Sequence, residues 1–132
     1  MTLLTAAVGR VALALIFLLS GIGKLAAPAA TTGYIASAGL PFPALLFWGT
    51  IALEIAGGLA LVLGYRTRIV AFALAGFSIL AAVLFHAQFG DQNQMIHFLK
   101  NVAIAGGLLH VAAFGAGTAS LDARLLRRVT AR

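Results

Sequence analysis

The chain has 132 residues, of which 62% are hydrophobic and 9% charged, whereas a soluble domain usually carries about 25% charged residues. That leaves too little polar surface to clothe a water-soluble particle of this length, so lipid must cover the remainder. The net charge of +6 does not indicate nucleic acid, because the basic residues stand between or at the ends of apolar segments instead of on one soluble face.

The absence of cysteine excludes disulfides, thiolate metal sites, iron–sulfur clusters and thiol redox catalysis. Any redox chemistry must belong to a bound cofactor or a partner. The expected architecture is an all-α, polytopic bundle of four transmembrane helices, since about 20 apolar residues cross the hydrocarbon core.

Residues 3–23 make the first span, interrupted by Arg10 alone. A secretory signal is the other reading of this stretch, with Ala27-Pro28-Ala29 as its small-residue cleavage site. The connection that follows is rich in Pro and Gly, and within it Ala30 to Ala38, centred on Tyr34 and Ile35, suits a short interfacial helix. Residues 42–64 make the second span, with Trp48 and Tyr65 near its ends and Glu54 near its middle.

After a tight turn holding Arg66 and Arg68, residues 69–88 make the third span, with no ionisable group before His86. A polar break over Gly90 to Gln94 leads to the fourth span, residues 95–115, which contains His97, Lys100, Asn101 and His110. The transmembrane domain thus covers residues 1–115, followed by a basic tail, residues 116–132, with Arg124, Arg127, Arg128 and Arg132. Two arginines between the second and third spans and four in the tail, against none between the third and fourth, predict that both termini are cytoplasmic. Lys24 is the exception to that asymmetry. The arginines are also expected to bind anionic lipid, and the tail could dock a soluble partner.

Glu54 is the most informative residue, because a carboxylate within a span costs about 2.5–3.5 kcal/mol on insertion scales and demands a partner or a proton. The run Ile55-Ala56-Gly57-Gly58-Leu59 recurs as Ile104-Ala105-Gly106-Gly107-Leu108. Aligning the two places Lys100 about one turn from Glu54, with Arg10 approaching from the first span. Such charges suit either a structural lock that fixes helix register or a proton relay for a bound redox ligand. His97, Lys100 and Asn101 share one helix face, and with His86 they form a polar cap able to hydrogen-bond a quinone headgroup, unless bulk water merely hydrates them. A metal held by His86, Asp91 and His97 is the weaker reading, because no two histidines have i, i+4 spacing. The paired glycines, with Gly21 and Gly23, permit close helix packing or leave room for a flat ring.

Gly9-Arg10, Ser20-Gly21-Ile22-Gly23-Lys24-Leu25, Glu54-Ile55-Ala56-Gly57-Gly58, Thr67-Arg68, Phe85-His86 and Leu99-Lys100-Asn101 together resemble the DoxX family of small membrane proteins, over about residues 8–110. The resemblance implies a four-helix membrane domain associated with quinone-coupled thiosulfate oxidation and oxidative stress. It matches the family's characteristic positions at Arg10, Lys24, Glu54, His86, Lys100 and Asn101. The resulting expectation is a subunit of an oxidoreductase system in the bacterial inner membrane that binds a quinone or similar ligand. In it Glu54, Lys100 and Arg10 manage charge and protons, and His86, His97, Asn101 and Lys24 contact the headgroup. Its site should lie between the first, second and fourth spans. The alternative is a non-enzymatic scaffold that recruits a soluble partner, and either could form a homodimer.

Overall fold

The computed structural model describes residues 2–130, which form six α-helices: α1 Thr2–Ala26, α2 Pro28–Ser37, α3 Pro43–Leu63, α4 Thr67–Phe85, α5 Gln92–Phe114 and α6 Leu121–Thr130. Arg132 lies outside the described residues. Four of the helices, α1, α3, α4 and α5, are long and apolar enough to cross a membrane. Large apolar side chains such as Val8, Leu19, Leu45, Ile69, Phe72, Leu80 and Leu99 point outward, a surface that lipid accepts and water does not.

Local chemistry sets each helix end. Pro28 and Pro43 stand in the first turns of α2 and α3, where a missing N–H costs nothing. Gly64, with φ of 67°, closes α3: Tyr65 N donates to Ala60 O at 2.9 Å and Gly64 N to Leu61 O at 3.2 Å, the Schellman pairing that a left-handed glycine permits. Asp91 caps α5 by accepting from Asn93 N at 2.8 Å and Gln94 N at 3.4 Å, so this helix begins at Gln92 and not at Met95 as the sequence reading had it. The third span is shifted the same way, toward the N-terminus, starting at Thr67 and ending at Phe85 where 69–88 was expected, and its 19 residues reach about 28 Å at 1.5 Å per residue.

The four long helices form a ring in which α1 packs most extensively on α3 and α4 on α5, with lesser contacts between α3 and α4 and between α1 and α5. Its core joins Ala14 and Phe17 of α1, Leu61 of α3, Ala71, Leu74 and Ala75 of α4, and Ala105 and Leu108 of α5. Small residues let the backbones approach: a Cβ on Gly58 would stand 2.8 Å from Leu18 Cδ2, and one on Gly57 3.1 Å from Leu74 Cδ2. Gly107 takes Leu13 in the same manner, whereas Gly23 and Gly106 face open space. A second cluster, Ile35, Phe47 and Ile51, seats α2 against α3, so the interfacial helix covers one end of the ring.

The tail is not a loose basic segment. Asp122 at the start of α6 accepts from Arg66 N at 2.8 Å and Thr67 N at 2.9 Å, which caps α4 from outside its own sequence, and Asp122 N returns a bond to Gly64 O at 2.9 Å. Buried Arg10 completes this lock by donating to the carbonyls of Ala116, of Ala119 at 3.0 Å and of Val62 at 3.4 Å. Burial pushes the Asp122 carboxyl up, but hydrogen bonds from Thr67 and Arg66 and the charge of Arg10 pull it further down, leaving it below the usual carboxylate range. The stabilisation it gives is therefore present above that range and lost as pH falls through the depressed value. Asp122→Ala should cost about 1 kcal/mol at neutral pH, the usual worth of an N-cap. Thermal unfolding of the detergent-solubilised protein should show the gap from wild type shrinking as the pH is taken into the acid range.

Candidate functional site

Glu54 lies in the middle of α3 and is 3% exposed. Its partner is Lys24, at the end of α1: Nζ stands 2.8 Å from Oε1 and 2.8 Å from Oε2. Ser20, one turn earlier on α1, donates to Glu54 Oε1 at 3.0 Å and accepts from Lys24 Nζ at 2.7 Å, closing a three-residue ring of charge-assisted hydrogen bonds. A Cβ on Gly21 would stand 2.7 Å from Ile55 Cγ1, so glycine there brings α1 near enough to α3 for the ring to close.

Neither partner expected for Glu54 occupies that position. Lys100 Nζ lies 3.0 Å from His97 Nδ1 on its own helix and is exposed. The reason is packing order: α3 lies against α1 and α4, while α5 lies against α4 and α1, so the repeated Ile-Ala-Gly-Gly-Leu runs sit across the ring and not side by side. Arg10 is ten residues before Ser20 on the same helix, about 15 Å along its axis, and its guanidinium is engaged by carbonyls at the opposite end.

A cavity of about 670 Å³ opens beside the Glu54 ring. Its walls are apolar, with Phe17 from α1, Leu46 and Leu53 from α3, Phe77 and Leu84 from α4 and Ile104 from α5. Its polar groups include Ser20, Lys24 and Glu54 on one side and His86, His97, Lys100 and Asn101 on the other, with Thr31 and Tyr34 of α2 above, and the hydroxyl residues Thr50 of α3 and Ser78 of α4 also line it. Exposed Leu45 and Leu80 also line it, so the cavity reaches the outer face of the bundle between α3 and α4.

The histidine side of the cavity is held by its own network. His86 Nδ1 pairs with Gln94 Oε1 at 2.8 Å, and the His86 and His97 rings stack with centroids 5.1 Å apart. An ammonium at Lys100 donates to His97 Nδ1, which leaves the imidazole proton on Nε2. Asn101 Nδ2 donates to His97 O at 2.9 Å. Tyr34 stacks on Phe85 with centroids 5.1 Å apart and donates to its carbonyl at 3.4 Å, tying α2 across the cavity.

Six of the seven residues singled out in the sequence therefore line one cavity, and Arg10 does not. Ser20, Thr31, Thr50 and Ser78 were missed. The i, i+4 spacing of Ser20 and Lys24 was the available signal, since it sets both on the α1 face that meets Glu54. Among the described residues no group of three His, Asp or Glu side chains is gathered to hold a metal ion, and Asp91, proposed as a ligand with His86 and His97, is occupied as the α5 cap.

Four apolar helices around a polar-ended cavity define a small integral membrane protein. The DoxX family model matches residues 5–87. The inner membrane protein YqjF of Escherichia coli (strain K12) is 38% identical over 121 residues, covering 92% of this chain and 91% of the relative. The inner membrane protein YphA of the same organism is 36% identical over 122 residues, covering 89% and 87%. The chain belongs to the DoxX family. No solved structure matches it significantly.

Removing one member of a buried ion pair strands the other charge, at a cost of about 3–5 kcal/mol. Lys24→Met and Glu54→Gln should each destabilise the protein toward the lower end of that range, because the Lys24 side chain is 24% exposed. The double variant should recover at least about 1 kcal/mol of the summed loss, as coupled sites do. Lys100→Met should change stability by no more than about 0.5 kcal/mol, the usual limit for an exposed site. Unfolding of the four variants in detergent checks this, and an equal loss at Lys100 and Lys24 would contradict the pairing.

Proposed function

We propose that this chain binds a quinone, or a comparably flat and hydrophobic redox ligand, as a subunit of an oxidoreductase system in the bacterial inner membrane. The observation that carries the reading is the cavity: apolar walls for a ring and its tail, with convergent polar groups at one end, is the usual form of a site for such a molecule. About 670 Å³ lies within the roughly 300–1,000 Å³ typical of small-molecule sites. The scaffold alternative calls for a close-packed interior, and the cavity weighs against it.

The ligand would supply two-electron, two-proton redox chemistry. The protein's residues bind and orient it. Lys24 and Lys100 offer N–H donors to carbonyl oxygens, His97 offers Nε2–H, and the Glu54 carboxylate holds or releases a proton at Oε1 or Oε2. With no cysteine in the sequence, a partner protein or a second cofactor delivers the electrons.

Orientation follows from charge. Arg66, Arg68 and the α6 arginines Arg124, Arg127 and Arg128 share one end of the bundle, and the cavity lies toward the other. Positive charge on the cytoplasmic side puts both termini in the cytoplasm and the cavity in the opposite leaflet. Lys24, the exception, has its charge matched by Glu54.

Equilibrium binding of decylubiquinone to the purified protein in lipid nanodiscs tests the reading. Wild type should bind saturably, and Lys100→Met and Glu54→Gln should each weaken binding at least tenfold, about 1.4 kcal/mol. Lys100→Met is the cleaner probe because it leaves the Glu54 ring intact. Unchanged affinity in both folded variants would end the proposal.

A further inference from the structure

At the arginine-rich end, away from the cavity just described, α6 lies beside the start of α4 and the end of α5 and leaves a groove of about 670 Å³. Two groups of residues in its lining matter most. Ile69, Phe114, Leu125, Leu126 and Val129 form an apolar wall, and Arg66 and Arg68 contribute the cationic groups.

The apolar wall is exposed: Phe114 and Val129 at 74%, Ile69 at 68% and Leu126 at 67%. It comprises one face of α6 together with the ends of two membrane spans, so it continues into the hydrocarbon region. Arg127 falls opposite Leu125 and Val129 on α6 at 100° per residue, with Arg124 and Arg128 to one side of it. Among the described residues, none of these five arginines has an acidic side chain within ion-pair distance. Asp122 also lines the groove, and its carboxylate is committed to the backbone N–H groups of Arg66 and Thr67.

An occupant of this groove must present an anionic head to the arginines and an apolar tail to the wall. A neutral lipid supplies only the second, and a soluble acidic protein, though it carries apolar surface, does not reach the part of the wall that continues into the hydrocarbon region. We propose that the groove is a binding site for an anionic phospholipid, its phosphodiester held by Arg66 and Arg68 and an acyl chain lying along Ile69, Phe114 and Leu126. Arginine suits the task because its planar fork meets two phosphate oxygens at once. Such a lipid would hold α6 flat against the bilayer, and with it the Asp122 cap on α4.

The test uses the full chain in zwitterionic detergent micelles, with native mass spectrometry reporting bound lipid and thermal unfolding reporting stability. Dioleoyl phosphatidylglycerol should bind in a defined stoichiometry and raise the melting temperature, while dioleoyl phosphatidylcholine should do neither. Arg68→Gln should weaken phosphatidylglycerol binding at least tenfold, and Leu126→Gln should weaken it from the apolar side without altering charge. Equal binding of the two lipids, or undiminished phosphatidylglycerol binding in both variants, would overturn the site. So would glycerol 3-phosphate matching the lipid's affinity, or soluble polyglutamate displacing the lipid at equal charge concentration. The first of these would make the site one for a headgroup only, and the second one for an acidic protein.

Discussion

The ion pair between Lys24 and Glu54 is the interaction around which the rest of the bundle is arranged. A carboxylate in the middle of an apolar span is tolerable only if its charge is met within the protein, and the cation that meets it comes from the last turn of the neighbouring helix. That requirement fixes how α1 slides along α3. It also explains the small residues between them: with side chains at Gly21 or Gly58 the helices could not approach without displacing Ile55 or Leu18. Close packing and charge pairing are thus one constraint, met at two depths of a single interface.

The two buried charges of the spans do unlike work. Glu54 is answered by a full opposite charge and borders a cavity. Arg10 is answered by the partial charges of backbone carbonyls, including Val62 O near the end of α3, where the last carbonyls of a helix have no partner within it. A guanidinium carries its donors in a fixed planar fork, and here Nη1 and Nη2 gather carbonyls from α3 and from the connection before α6. Gly64 is pressed against it, a Cβ there standing 3.0 Å from Arg10 Cζ and 2.5 Å from Ser120 Cβ. One end of the bundle is therefore locked by covering backbone groups, and the cavity enclosed between the four long helices lies toward the other.

Much of this was legible in the sequence because hydropathy and proline or glycine placement are local signals. The four spans, the short helix centred on Tyr34 and Ile35, and Glu54 as the residue needing a partner all follow from composition over about twenty residues. The partner's identity did not, because it depends on which helices are neighbours around the ring. The repeated Ile-Ala-Gly-Gly-Leu run suggested α5 beside α3, whereas the glycines it contains serve separate contacts, Gly57 with Leu74, Gly58 with Leu18 and Gly107 with Leu13. The docking of the tail was equally hidden. Asp122 caps a helix that begins 55 residues earlier, and capping signals are recognisable in sequence only when cap and helix are contiguous.

A structural lock and a ligand site are geometrically compatible in this ion pair. An ammonium has three N–H donors, and Lys24 directs them to the two oxygens of Glu54 and to Ser20. A fully enclosed ring of this kind would only fix register. This one faces the cavity, its lysine a quarter exposed, and its weakest member is the neutral hydroxyl of Ser20. A ligand oxygen can take that hydroxyl's position on Lys24 while the charge pair persists, so binding need not expose an uncompensated carboxylate. In the proposed complex that exchange would cost one hydrogen bond and return another, which would leave the apolar walls to decide affinity.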